Sequence, residues 1–99
     1  MPGVVLRPSG DLDLATVDGF RASVDTALAQ RPSALLFDLA DVDFLDSSGI
    51  AVLVVALKTQ RARGGVVAVV HPKPIVRRAI DLVGLAMLFD TSKIPAALL

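Results

Sequence analysis

The sequence predicts a single α/β domain: a four-stranded sheet, largely parallel or mixed, with about four helices. Two observations carry this. Short runs of β composition at 4–7, 34–39 and 66–70 alternate with stretches whose apolar residues recur at helical spacing, around 17–28 and 75–83. The run Ala34-Leu35-Leu36-Phe37-Asp38-Leu39 is also almost continuously apolar, the mark of a strand covered on both faces, and so points to parallel pairing. Strand-helix-strand crossovers in such a sheet are right-handed.

The elements follow in order. Val4-Val5-Leu6 reads as a strand stopped by Pro8-Ser9-Gly10, and Gly10-Asp11-Leu12-Asp13 as an acidic loop. Val17, Phe20, Val24, Ala27 and Leu28 define a one-faced helix from about Thr16 to Gln30, broken by Arg31-Pro32-Ser33. The buried strand 34–39 leads into a loop, 40–46. A second helix, 48–63, follows; it is apolar all round in its first two turns, so burial is expected of it more than a docking role. Lys58, Arg61, Arg63 and Gly64-Gly65 close it. Val66-Val67-Ala68-Val69-Val70 has the strongest β composition, and His71-Pro72-Lys73-Pro74 stops it. Ile75, Val76, Ala79, Ile80 and Val83 mark a third helix ended by Gly84, with Arg77 and Asp81 spaced for an i,i+4 pair. Residues 85–89 are expected as the last strand, and Thr91 or Ser92 as the cap of a brief terminal helix.

Composition removes several classes of function. The 99 residues make one domain, and 54% hydrophobic content supplies a core. Ten Lys and Arg balance ten acids, and Tyr and Trp are absent, so nothing suggests a nucleic-acid binder. With no Cys and one His, thiolate and His-rich metal sites have no ligands, and no cofactor is expected. The longest apolar run, 50–57, is too short to span a bilayer, and Met1-Pro2-Gly3 opens no export signal. A soluble, cytoplasmic protein without a membrane partner is the expectation. All ten acids are Asp, a residue that favours caps and turns over helix interiors, so the carboxylates should collect at element ends.

The most specific short signal is Asp46-Ser47-Ser48-Gly49, followed at once by Ile50 and the helical run. It puts a carboxylate and two hydroxyls at the positive end of a helix dipole, which suits a cap or a phosphate. If the strands at 4–7, 34–39 and 66–70 are parallel, Asp11, Asp13, Asp46, Ser47, Ser48, His71 and Lys73 share the carboxyl edge of the sheet, where α/β folds place their sites.

Three chemistries compete there. A serine nucleophile served by His71 lacks the glycine that the esterase elbow wants two residues before the serine. A receiver-like, Mg²⁺-dependent phosphoryl acceptor built from Asp11, Asp13 and Asp46 has suitable oxygens, but the chain is short of a strand for it. The third is modification of Ser47 or Ser48 by another protein, where a phosphate adds about −1.5 to −2 charge beside the orphan amides of a helix start.

Ser9-Gly10-Asp11-Leu12-Asp13, the stretch 39–50 with Phe44 and Asp46-Ser47-Ser48-Gly49, Gly64-Gly65, and Val83-Gly84-Leu85 with Phe89 together resemble the STAS domain family. Within it they resemble the stand-alone bacterial anti-sigma factor antagonists. The resemblance implies a STAS-like fold without catalytic activity and a phosphoacceptor at Ser47. It implies three partner events: the unphosphorylated form binds an anti-sigma factor of histidine-kinase-like fold, that kinase phosphorylates Ser47 and ends binding, and a serine phosphatase resets the switch. The partner-binding set expected from the tetrad and the shared edge is Asp11, Asp13, Asp46, Ser47, Ser48, Gly49 and Ile50.

Two departures from the family stand out. The chain starts at what would be the second strand, lacking the usual N-terminal edge strand and leaving an edge open to a homodimer, and Val83 replaces the usual serine before Gly84-Leu85. The alternative within the family is a non-phosphorylated STAS subunit of an ABC-type lipid or anion transport complex, a group that generally lacks the full tetrad.

Overall fold

A computed structural model describes residues 3–99. In chain order it contains β1 (Gly3–Leu6), β2 (Gly10–Leu12), α1 (Val17–Ala29), β3 (Ala34–Asp38), β4 (Val42–Leu45), α2 (Ser47–Ala62), β5 (Val66–Val70) and α3 (Pro74–Leu82), then 3-10 turns at Ala86–Phe89 and Ala96–Leu98. The strands form two sheets, β1-β3-β5 and β2-β4, and every pairing is parallel. The expected α/β class and parallel pairing therefore hold, while the single four-stranded sheet with about four helices becomes, among the described residues, five strands in two sheets with three α-helices.

Alternation along β3 organises the core. Leu35 and Phe37 enter the larger cluster with Phe20, Val24, Val52, Leu53, Val67, Val69 and Ile80, while Ala34 and Leu36 enter a smaller one with Ala68 and Ile94. The helices α1 and α2 pack against each other over the first face, and Phe20 meets Phe37 edge-on with ring centroids 5.9 Å apart. The second face is covered by the C-terminal segment through Ile94 and Leu98. Gly3 allows this closure at β1, because a Cβ there would come 2.3 Å from Leu98 Cδ1. β1 is the outer strand of its sheet.

The differences from expectation have physical reasons. Residues 10–12 and 42–45 read as loops because of their acids, yet they pair as β2 and β4, each contributing apolar side chains to the core: Leu12, Val42 and Leu45. Residues 85–89 are no strand; Leu85, Leu88 and Phe89 recur at helical spacing and pack on the core from a 3-10 turn after Gly84, whose φ is +79°. The terminal turn is preceded by Pro95 in place of a Thr91 or Ser92 cap, since proline forbids a helix running through it. Burial of α2 is also partial: Val52, Leu53, Ala56 and Leu57 are inside, but Ala51 and Val55 face solvent. Arg77 lies over the Phe89 ring, 4.1 Å from its centroid, instead of reaching Asp81.

The glycine pair after α2 divides its work. Gly64 takes the left-handed conformation of a helix stop, with φ +74°. Gly65 clears space for the fully buried Gln60, whose amide donates to Pro32 O at 2.9 Å and Val66 O at 3.3 Å and so ties together the starts of β3 and β5.

Candidate functional site

The start of α2 is built by Asp46 and Gly49. Asp46 is the N-cap, extended in backbone, and its Oδ1 accepts the amides of Ser48 at 2.8 Å and Gly49 at 3.4 Å. Ser47 is thereby the first helical residue, with its hydroxyl free of capping duty and its side chain exposed. Gly49 is buried: a Cβ there would stand 2.8 Å from Leu12 O and 3.1 Å from Leu12 Cβ. Its part is to let α2 begin in contact with β2. Ile50 is half-buried and packs on the main core, so it anchors the first turn while keeping some surface.

Register brings the first acidic loop to this point. β2 runs parallel to β4 with Leu12 opposite Leu45, and Asp46 N donates to Leu12 O at 3.2 Å. The next residue, Asp13, uses Oδ1 to accept the amides of Ala15 and Thr16 at 3.0 and 3.1 Å, a turn that launches α1. Thr16 Oγ1 donates to Asp11 O at 2.6 Å and accepts from Asp13 N at 3.1 Å, fixing the loop against the helix start. Thr16 stands at the N-cap position yet caps nothing with its side chain; Asp13 supplies the oxygen. Among the described residues, Asp11, Asp13 and Asp46 join no ion pair. Three carboxylates uncompensated by a cation thus stand around the start of α2 and the loop that abuts it.

The rest of the carboxyl edge forms separate groups. His71, with φ +56°, places Nδ1 3.4 Å from Asp38 Oδ1, and Arg7 Nε lies 3.5 Å from Asp38 Oδ2. These three residues close the ends of β1, β3 and β5. Partial burial pushes the Asp38 carboxyl up, but the Ala40 amide, His71 and Arg7 outweigh it and hold the group below its ordinary value. Lys73 Nζ donates to Asp43 Oδ1. His71 and Lys73, expected on one row with Ser47, are thus engaged elsewhere; His71 serves Asp38 and is no base for either serine. No three carboxylate or imidazole groups converge as a metal site among the described residues.

Sequence reasoning passed over Asp38 and Leu14. Asp38 is the one polar residue in the apolar run 34–39, a signal for an ion-paired group at a strand end. Leu14, 79% exposed, lies between the acidic turn and α1; it continues the apolar series of α1 in spacing but precedes the helix, so it has no core to enter.

A STAS domain family model matches residues 2–96. The anti-sigma F factor antagonist of Paenibacillus polymyxa is 35% identical over 83 residues, covering 83% of this chain and 71% of that protein. An anti-sigma factor antagonist from Mycobacterium paratuberculosis superposes with a TM-score of 0.78 at 32% identity, over 88% of this chain and 74% of its own. The Bacillus cell fate determinant SpoIIAA in its phosphorylated form superposes with a TM-score of 0.69 at 28% identity, over 87% of this chain and 78% of its own. With nearly the whole chain matched, the protein belongs to the STAS domain family.

Proposed function

We propose that this protein is an anti-sigma factor antagonist whose binding is switched off by phosphorylation of Ser47. The observation that carries the proposal is the division of labour at the start of α2: Asp46 performs the cap, which leaves the Ser47 hydroxyl exposed and available to a kinase. The partner is an anti-sigma factor with serine kinase activity, and a serine phosphatase restores the binding form. Asp11, Asp13, Asp46, Ser47, Ser48 and Ile50 form the contact surface, and Gly49 sets its shape from beneath.

The switch works by charge. A phosphate brings about −1.5 to −2 charge to a surface that already holds three unpaired carboxylates, while the helix start tolerates the anion through its dipole. The fold is kept and docking is lost. A penalty of about 2.8 kcal/mol at the interface weakens binding roughly a hundredfold. Ser47→Ala is expected to bind the kinase constitutively and Ser47→Asp to bind poorly, as read by calorimetric titration. Equal affinity of both variants with wild type contradicts the proposal. The outer edge of β1 offers a second place for strand pairing, with a second copy as its occupant; sedimentation of the isolated protein as a monomer at high concentration would exclude it.

A further inference from the structure

We infer that Leu14 and Val55 form the apolar half of the partner contact, flanking Ser47, and that the anti-sigma factor meets them with an apolar pocket rimmed by Lys or Arg. The inference rests on the anti-sigma reading of Ser47 and names which further residues of this chain decide affinity.

Leu14 is the most exposed large apolar side chain among the described residues, at 79%, and Val55 is 54% exposed. Leu14 lies beside the switch, and Val55 sits two turns along α2 from Ser47, about 12 Å away along the helix axis. Leu14 is two residues beyond Leu12, so its Cα is within about 7 Å of the residue whose carbonyl receives the Asp46 amide. Ser47, Ala51 and Val55 are spaced i, i+4 and i+8 on α2, which puts them on one stripe, and Ala51 is exposed as well. Ala51 and Val55 line a small groove between α1 and α2 whose other wall carries Arg21 and Asp25, continuing the surface away from the helix start.

Single exposed apolar residues need no explanation, but these occur together with a particular rim. Asp11, Asp13 and Asp46 have no cationic partner among the described residues, and Asp13 and Asp46 each spend only Oδ1 on local amides. Leu14 beside these unpaired carboxylates, with an exposed apolar stripe leading from Ser47 to Val55, has the make-up of a protein interface and selects a partner that sets an apolar pocket next to Lys or Arg. A second copy of this chain fits poorly, because it would bring the same carboxylates face to face.

The test uses the full chain, unphosphorylated, with the cognate anti-sigma kinase. Leu14→Asn and Val55→Thr each remove apolar character at an exposed position with little change of volume, and Leu82→Asn, at an equally exposed leucine on α3, is the control. Each test variant should weaken binding about tenfold to a hundredfold, the control should bind like wild type, and all three should melt close to wild type. If Leu14→Asn and Val55→Thr both retain wild-type affinity while Ser47→Asp still abolishes binding, this inference is overturned and the switch stands. If the wild-type chain binds no anti-sigma kinase, both fall together.

Discussion

Gly49 and Gly19 are both helical glycines, and replacing each by alanine should move stability in opposite directions. In a helix interior, Ala is favoured over Gly by about 1 kcal/mol. At Gly19 a Cβ would meet nothing within 4 Å, so the propensity gain should be realised as roughly 0.5–1 kcal/mol of added stability. At Gly49 the added carbon would lie 2.5 Å from Leu45 Cδ1 and 2.8 Å from Leu12 O. The Leu45 methyl can rotate away, but Leu12 O is backbone, held by the Asp46 amide at 3.2 Å. Overpacking of this kind costs about 1–3 kcal/mol, which cancels or outweighs the propensity gain and leaves a net loss of up to about 2 kcal/mol. For a domain of this size that is a fall in Tm of up to roughly 15 °C, against a rise of a few degrees for Gly19→Ala. Thermal melting by circular dichroism, with urea midpoints as a second measure, reads both. A Gly49→Ala variant as stable as Gly19→Ala would refute the close contact of α2 with β2 on which the position of Ser47 depends.

Other outcomes follow from single contacts. Removing the Asp46 carboxylate in Asp46→Ala should cost about 1 kcal/mol through the lost cap, while Asp46→Asn should retain most of it; equal losses in urea titration would mean that charge, not the hydrogen bonds to Ser48 and Gly49, is what matters. Asp38 titrates below its ordinary value of 3.8, so its stabilising contribution is complete above that pH and lost as pH falls through the lowered pKa. Asp38→Asn should therefore flatten the acid limb of a stability-pH profile, modestly because Arg7 and His71 are largely exposed; an unchanged limb would remove the Arg7-Asp38-His71 group as its source.

The parts of the fold legible in sequence were those with strong periodicity or clear end signals. Helix α1 lies within a residue of its expected bounds because its apolar spacing is unambiguous, helix α2 because Asp46 and Gly64-Gly65 mark its ends, and strands β3 and β5 because compact apolar runs stop at turn residues. β2 and β4 were hidden by composition: Asp11 and Asp43 look outward, and only Leu12, Val42 and Leu45 carry the buried side of a short pair. Residues 85–89 show the limit for short apolar runs, where Leu85, Leu88 and Phe89 fit a helical turn as well as residues 85–89 fit a strand. At the site, Asp46-Ser47-Ser48-Gly49 and the Asp11-Asp13 loop were readable as motifs and do converge, through the β2-β4 register. That Gly49 is a packing residue and that His71 belongs to Asp38 depend on the spacing between elements, which no local pattern encodes.

The central claim concerns one hydroxyl. Incubating the protein with the anti-sigma kinase proposed as its partner and ATP, then mapping phosphate by peptide mass spectrometry while following the complex by size-exclusion chromatography, addresses it directly. The account predicts a single phosphate on Ser47, with the complex dissolving as it accumulates. Phosphate found on Ser48 or on an aspartate, or a Ser47-phosphorylated chain that stays bound to the kinase, would contradict it.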